Sequence, residues 1–125
     1  MGKQIIAIVG LGRMGSAFLE ELMCVVEKGM KVAYAVEKND TPGRRMAETY
    51  HVNIVSIDQL IAEGDKVDVI FDLTGSSETR KELREKLHAS GNRHTVVAPE
   101  SIARMMWAIM ADEKMLPDVH ERKGY

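Results

Sequence analysis

The stretch Gly10-Leu11-Gly12-Arg13-Met14-Gly15 constrains this chain more than any other, because it stands between two segments of different periodicity. Before it, Ile5 to Val9 is an unbroken apolar run, the pattern of a central parallel strand covered on both faces. After it, Met14, Ala17, Phe18, Leu22, Val25 and Val26 recur at helical spacing, and Gly29 is placed to stop that helix. A chain that turns from strand to helix in this way presents unpaired N–H groups and the positive end of a helix dipole, which suit an anion. The glycines have separate tasks: Gly10 allows the tight turn, Gly12 lets the backbone approach a diphosphate, and Gly15 lets the helix pack on the strand.

The rest of the chain continues the alternation. Lys31 to Val36 reads as a second strand, Lys38 to Gly43 as a turn-rich loop and Arg44 to Tyr50 as a short helix. Asn53 to Ser56 is a weak third strand, followed by a short helix over Asp58 to Glu63. Val67 to Leu73 is the fourth strand, Ser76 or Ser77 caps a helix reaching Ser90, and Gly91 ends it. Thr95 to Ala98 is the fifth strand and Ile102 to Glu113 the last helix. Strands separated by helices predict an α/β chain with a parallel sheet of about five strands, because each crossover returns along a face of the sheet. The expected order is 3-2-1-4-5 with helices on both faces, a three-layer Rossmann-like fold. A chain of 125 residues suffices for one domain, expected over residues 1–114, with a poorly structured tail over 115–125.

Composition narrows the classes of partner. The formal net charge is −2 and the basic residues are scattered, which argues against a nucleic-acid surface. No apolar stretch reaches the roughly 18 residues of a membrane span, and Met1-Gly2-Lys3-Gln4 leads at once into strand-like sequence. A cytoplasmic location is expected. Cys24 is the one cysteine, so neither an internal disulfide nor a cysteine metal cluster is expected.

Glu37 is the second marker, 22 positions past Gly15 at the end of the second strand. A carboxylate there can accept hydrogen bonds from an adenosine ribose, and its charge would repel a 2′-phosphate, favouring NAD over NADP. The alternative is a solvated strand-end charge. Arg44 and Arg45 oppose the preference if one folds back to bind a phosphate; otherwise they form a solvated helix face. In the loop, Arg13 either lies over the diphosphate or points into solvent, and its backbone N–H matters more than its charge. Thr74 and Gly75, at the carboxyl end of the fourth strand, either flank a ribose or form an ordinary turn capped by Ser76.

The run Ile5-Ile6-Ala7-Ile8-Val9-Gly10-Leu11-Gly12-Arg13-Met14-Gly15, the strand end Ala35-Val36-Glu37 and Val67-Asp68-Val69-Ile70-Phe71-Asp72-Leu73-Thr74-Gly75 carry a family resemblance. They resemble the NAD(P)-binding halves of enzymes of the glucose-fructose oxidoreductase, homoserine dehydrogenase and dihydrodipicolinate reductase type, and Rossmann modules of some sensor kinases. The resemblance spans about residues 4 to 110, and its specific part is the glycine loop with Glu37. It implies NAD(P) binding by Gly10, Gly12, Arg13, Met14, Gly15, Glu37, Thr74 and Gly75. In those oxidoreductases the fifth strand leads into a Glu-Lys-Pro segment with a catalytic lysine and then a large substrate domain. Here Val96-Val97-Ala98-Pro99-Glu100-Ser101 stands instead, without lysine, and one more helix follows.

Other candidates for chemistry are weak. His51, His88, His94 and His120 all fall away from the carboxyl edge where a cofactor would lie, and no histidines or acids stand at metal-ligand spacing. Asp72 is a charge within an apolar strand and needs partners if buried. Cys24, among apolar residues in the first helix, reads as inert packing. The last helix, Ile102 to Ala111, is apolar around nearly its whole circumference, so a second copy, a partner domain or the chain's own tail is expected to cover what the sheet does not. Three functions remain open: a dinucleotide-binding regulatory or sensing module, the cofactor-binding part of an oxidoreductase, and an oligomerisation unit that binds no nucleotide.

Overall fold

A computed structural model describes residues 3–25 and 29–111 of the chain. Five parallel strands form one sheet: β1 Gln4–Val9, β2 Met30–Val36, β3 Asn53–Ile54, β4 Val69–Asp72 and β5 Val96–Ala98, in the order 3-2-1-4-5. Five helices connect or follow them: α1 Arg13–Val25, α2 Pro42–Thr49, α3 Ile57–Ala62, α4 Ser77–Ser90 and α5 Glu100–Met110. The expected α/β architecture is therefore the observed one.

The alternation of side chains along β1 sorts the interior into two layers. Ile6 and Ile8 pack with Phe18, Leu19 and Leu22 of α1, Ala47 of α2, and Ala103 and Trp107 of α5. Ala7 and Val9 point the other way, to Ile57 and Leu60 of α3 and Leu83 and Leu87 of α4. Across the first layer Phe18 meets Phe71 edge to face, with ring centroids 4.8 Å apart at 65°, a geometry that contributes about 1 kcal/mol beyond burial. The pairing of β1 with β2 shifts register between Ile6 and Ala7, since Ile6 faces Val32 and Ala7 faces Tyr34. Ala33 is thus an extra residue that bends β2.

Local chemistry sets the helix ends. Thr41 caps α2 ahead of Pro42, Ser56 and Gln59 form a capping box on α3, and Ser76 rather than Ser77 caps α4 by accepting the Thr79 N–H. Gly91 closes α4 at φ +76°, which a residue with a Cβ adopts only at a cost.

Several boundaries move. The third strand is only Asn53–Ile54, because Ser56 has become the α3 cap, and the fourth is confined to Val69–Asp72 after a 3-10 turn over Gly64–Lys66. The last helix starts at Glu100, two residues before Ile102, since Pro99 is already its N-cap. It ends at Met110, with Ala111 as its C-cap, short of the expected Glu113. The tail 115–125, Val26 and His120 lie outside the described residues. Cys24 is exposed, which corrects its reading as a packed residue. It follows Glu20 by one helical turn on the outer face, and its Sγ contacts the Glu20 carbonyl at 3.4 Å.

Candidate functional site

The glycine loop leaves β1 at the carboxyl edge of the sheet, between the ends of β2 and β4. Gly10 has φ +98°, and a Cβ there would lie 3.0 Å from Leu73 and Thr74 atoms. At Gly15 a Cβ would stand 1.9 Å from the Gly10 carbonyl oxygen, so α1 sits against the strand it follows at a distance that excludes any side chain. Gly12 differs from both. It is absent from the positive-φ glycines, and a Cβ on it would meet nothing within 4 Å. Nothing among the described residues requires a glycine at that position.

Leu11 anchors the loop. Its side chain is buried in the first layer, its N–H donates to Glu37 Oε1 at 2.7 Å, and its carbonyl accepts both the Thr41 hydroxyl at 2.9 Å and the Ser16 hydroxyl at 3.2 Å. Gly43, in the first turn of α2, completes the buttress: a Cβ there would fall 1.9 Å from Ser16 Oγ and 2.6 Å from the Leu11 carbonyl oxygen. The loop is thereby held on three sides. The first i to i−4 bond of α1 runs from the Ser16 N–H to the Gly12 carbonyl at 2.8 Å. The N–H groups ahead of it, those of Arg13, Met14 and Gly15, consequently have no acceptor inside the helix. Arg13 is exposed, whereas the Met14 side chain is in the core, so Met14 has only its backbone to offer a ligand.

Glu37 occupies the expected place at the end of β2. Its Oε2 accepts the Asn39 N–H at 3.1 Å, in addition to the Leu11 bond on Oε1. Each carboxylate oxygen has about two acceptor sites, so both retain capacity. Arg44 does fold back, but onto the Glu37 carbonyl, which accepts from Nη1 at 2.6 Å, while its Nε lies 3.8 Å from Glu48. Arg45 is exposed and 3.8 Å from Asp40. Between these groups and β4 lies a crevice of about 180 Å³, lined by Gly10, Glu37, Asn39, Thr74 and Thr79 among others. The structure thus brings Gly10, Glu37 and Thr74 around one crevice, whereas Gly12, Arg13, Met14, Gly15 and Gly75 are not in its lining.

Thr74 has a structural task as well. Its N–H and hydroxyl both donate to Asp72 Oδ1, at 3.2 and 2.8 Å, and its Oγ1 accepts the Ser76 N–H at 3.1 Å. Gly75 takes φ +67° in this turn. Asp72 is 2% exposed, and the two Thr74 bonds give partners to its Oδ1.

The three described histidines keep to the positions expected of them. His51 and His88 are exposed, and His94 is 2.5 Å from Asp68 at the amino edge, across the sheet from the crevice. A hollow of about 860 Å³ also lies at that amino edge, beside His94 and Gly91, well away from the glycine loop. No group of three metal-ligating side chains occurs among the described residues. Sequence reasoning missed Ser16, Thr41 and Gly43, whose contacts with Leu11 have no local signature.

No protein-family model matches the sequence, and no curated protein matches it. Solved structures do match the fold. A homoserine dehydrogenase from Thiobacillus denitrificans superposes with a TM-score of 0.59 at 19% identity, covering 86% of this chain and 28% of that one. A protein assigned as an NADPH-dependent oxidoreductase from Desulfitobacterium hafniense gives 0.59 at 16% identity, covering 78% of this chain and 27% of its own. GenD2 from gentamicin A biosynthesis, solved in complex with NAD, gives 0.50 at 17% identity, covering 79% of this chain and 34% of its own. The chain spans about a third of the length of these neighbours. It has the Rossmann-like α/β fold that these structures share.

Proposed function

We propose that this chain binds a dinucleotide, NAD(H) in preference to NADP(H), with the diphosphate against the loop Gly10 to Gly15 and the adenosine ribose at Glu37. The observation that carries the reading is Gly12. Gly10 and Gly15 are demanded by the chain itself, whereas the space beside Gly12 is open, as a glycine selected for the approach of a ligand requires. The backbone N–H groups of Arg13, Met14 and Gly15 would hold the diphosphate, Glu37 the ribose hydroxyls, and Thr74 with Gly75 the far side of the crevice. NAD preference follows from the Glu37 charge and from Arg44, whose guanidinium is already bonded to the Glu37 carbonyl. Such a cofactor, once bound, supplies or accepts hydride.

The role favoured is a regulatory or sensing module rather than a catalyst. Where the resembling oxidoreductases have lysine, this chain turns into α5 through Pro99, and Glu100 is buried with its Oε2 3.3 Å from Arg104 Nε. Bound state would pass to a second copy or partner domain through α5, over Ile102 to Ala111, in a cytoplasmic setting. No helix among the described residues is long and apolar enough to cross a membrane. A second reading, the cofactor-binding part of an NAD(P)-dependent oxidoreductase, is favoured by the coverage of only 27–34% of the neighbouring enzymes.

Titration of the chain with NADH, followed by cofactor fluorescence, tests the proposal together with Gly12→Val. Binding should saturate at micromolar to submillimolar NADH, with NADPH weaker. Gly12→Val should abolish binding and leave the urea midpoint unchanged. Full affinity in Gly12→Val, or no response at millimolar NADH, refutes it.

A further inference from the structure

We propose a second small-molecule site on the flank of the sheet between α4 and β5, taking a compact apolar molecule with a carboxylate at one end and a hydrogen-bond donor at the other. On this face of the sheet α4 contributes Leu83 and Leu87 to the second core layer, and Val97 of the edge strand β5 packs against that layer while staying partly exposed. The result is a cavity of about 470 Å³ lined by Asp72, Arg80, Arg84, Leu87, Val97 and Pro99. That volume is in the range of cofactor and metabolite sites.

Three features set the ligand chemistry. Leu87, Val97 and Pro99 supply an apolar wall. Asp72 Oδ1 takes both Thr74 bonds and Oδ2 takes none among the described residues. Among the described residues the enclosed side-chain polar atom without a partner is Trp107 Nε1, so Asp72 Oδ2 is not sealed off, and Asp72 lines the cavity. A mostly buried carboxylate oxygen in that position favours a ligand that donates a hydrogen bond. On the opposite wall Arg84 follows Arg80 by one helical turn on the same face of α4. Arg84 has no ion pair or hydrogen bond among the described residues, although its neighbours Lys81 and Lys86 are matched to Glu85 and to Asp58 and Glu82. A planar guanidinium left unpaired beside an apolar wall fits a carboxylate in a bidentate manner.

Para-hydroxyphenylacetate carries the three features, and phenylacetate lacks the donor. Titration of the full ¹⁵N-labelled chain with each, read by amide chemical shifts, tests the site. The hydroxylated probe should give saturating shifts at Arg84, Leu87 and Val97 with a dissociation constant on the order of 1 mM, as expected for so small a ligand, and phenylacetate should bind several-fold more weakly. Arg84→Gln, an exposed substitution, should weaken the probe about tenfold with an unchanged melting temperature. Shifts that fail to saturate, that persist undiminished in Arg84→Gln, or that centre on Gly10 to Gly15 would overturn the proposal. So would shifts at Val97 and Arg84 that depend on protein concentration without probe, since a second copy would then fill the flank.

Discussion

Glu37 Oε1 accepts the Leu11 N–H at 2.7 Å, tying the end of β2 to the middle of the glycine loop. The residue that would read the ribose is therefore also a brace for the loop that would hold the diphosphate. A charged acceptor bonded to two backbone donors is worth roughly 1.5–3 kcal/mol per bond when enclosed and less where solvent reaches it, as it does here.

Removing that carboxylate should accordingly act twice. Glu37→Ala is expected to lower unfolding stability by about 1–2 kcal/mol and to weaken NADH binding at least about tenfold. The ratio of NADH to NADPH affinity should fall toward one, because the charge that repels a 2′-phosphate is gone. Denaturation and paired fluorescence titrations measure the three quantities. An unchanged ratio would assign Glu37 to bracing alone.

The loop glycines should separate by substitution. A methyl at Gly15 would press on the Gly10 carbonyl, and one at Gly43 on Ser16 and the Leu11 carbonyl. Both contacts involve backbone that cannot yield without moving a helix. Gly15→Ala and Gly43→Ala are each expected to cost about 3 kcal/mol or more, whereas Gly12→Ala should stay within about 0.5 kcal/mol of the parent. Urea midpoints for the three variants decide the matter, and equal losses at Gly12 and Gly15 would contradict the packing described.

How much of this was legible in the sequence depends on the range of the interaction. β1, the loop and α1 could be read directly because an apolar run, a glycine pattern and a helical period are all local. The order 3-2-1-4-5 followed from alternation and crossover handedness. The buttress on Leu11 could not be read, since Thr41 lies 30 residues away and an ordinary helix cap explains it fully. Local composition around Cys24 is apolar, but helical phase decides its place: its turn of α1 puts Glu21 inward and Cys24 outward. The position of Arg44 allows it to fold back, but its acceptor is a backbone carbonyl with no sequence signature.

Acid stability should report on the amino edge of the sheet. Asp68 Oδ2 accepts the Ile5 N–H at 2.7 Å, and Oδ1 pairs with His94 Nε2 at 2.5 Å. The Ile5 bond first, and His94 second, hold the Asp68 carboxyl below its usual range. A folded pKa below the unfolded value of about 3.9 means the contribution is fully present above that pH and is lost as pH falls through the lower folded value. Urea midpoints measured from pH 6 downward should drop through about pH 4 and below, and Asp68→Asn should flatten that part of the curve. A variant with the same slope as the parent would place the acid sensitivity elsewhere.

The outer face of α5 makes the last prediction. The helix buries Ala103 and Trp107 against the first layer and leaves Met105 58% and Ile109 80% exposed, with Ile102 beside them on the same side. Val96, on the edge strand leading into this helix, is 59% exposed. The sequence implied an apolar circumference needing more than one cover, and the structure divides it into a face the sheet fills and a face it does not. Apolar side chains at this spacing on one exposed helical face suit a contact with a second copy of α5 across a two-fold axis. Light scattering is expected to give twice the chain mass at micromolar concentration, and Met105→Lys combined with Ile109→Glu should return the chain mass without changing the melting transition of the monomer. A monomer in the parent chain would remove the self-association, and a dimer that survives the paired charges would move its interface off this helix.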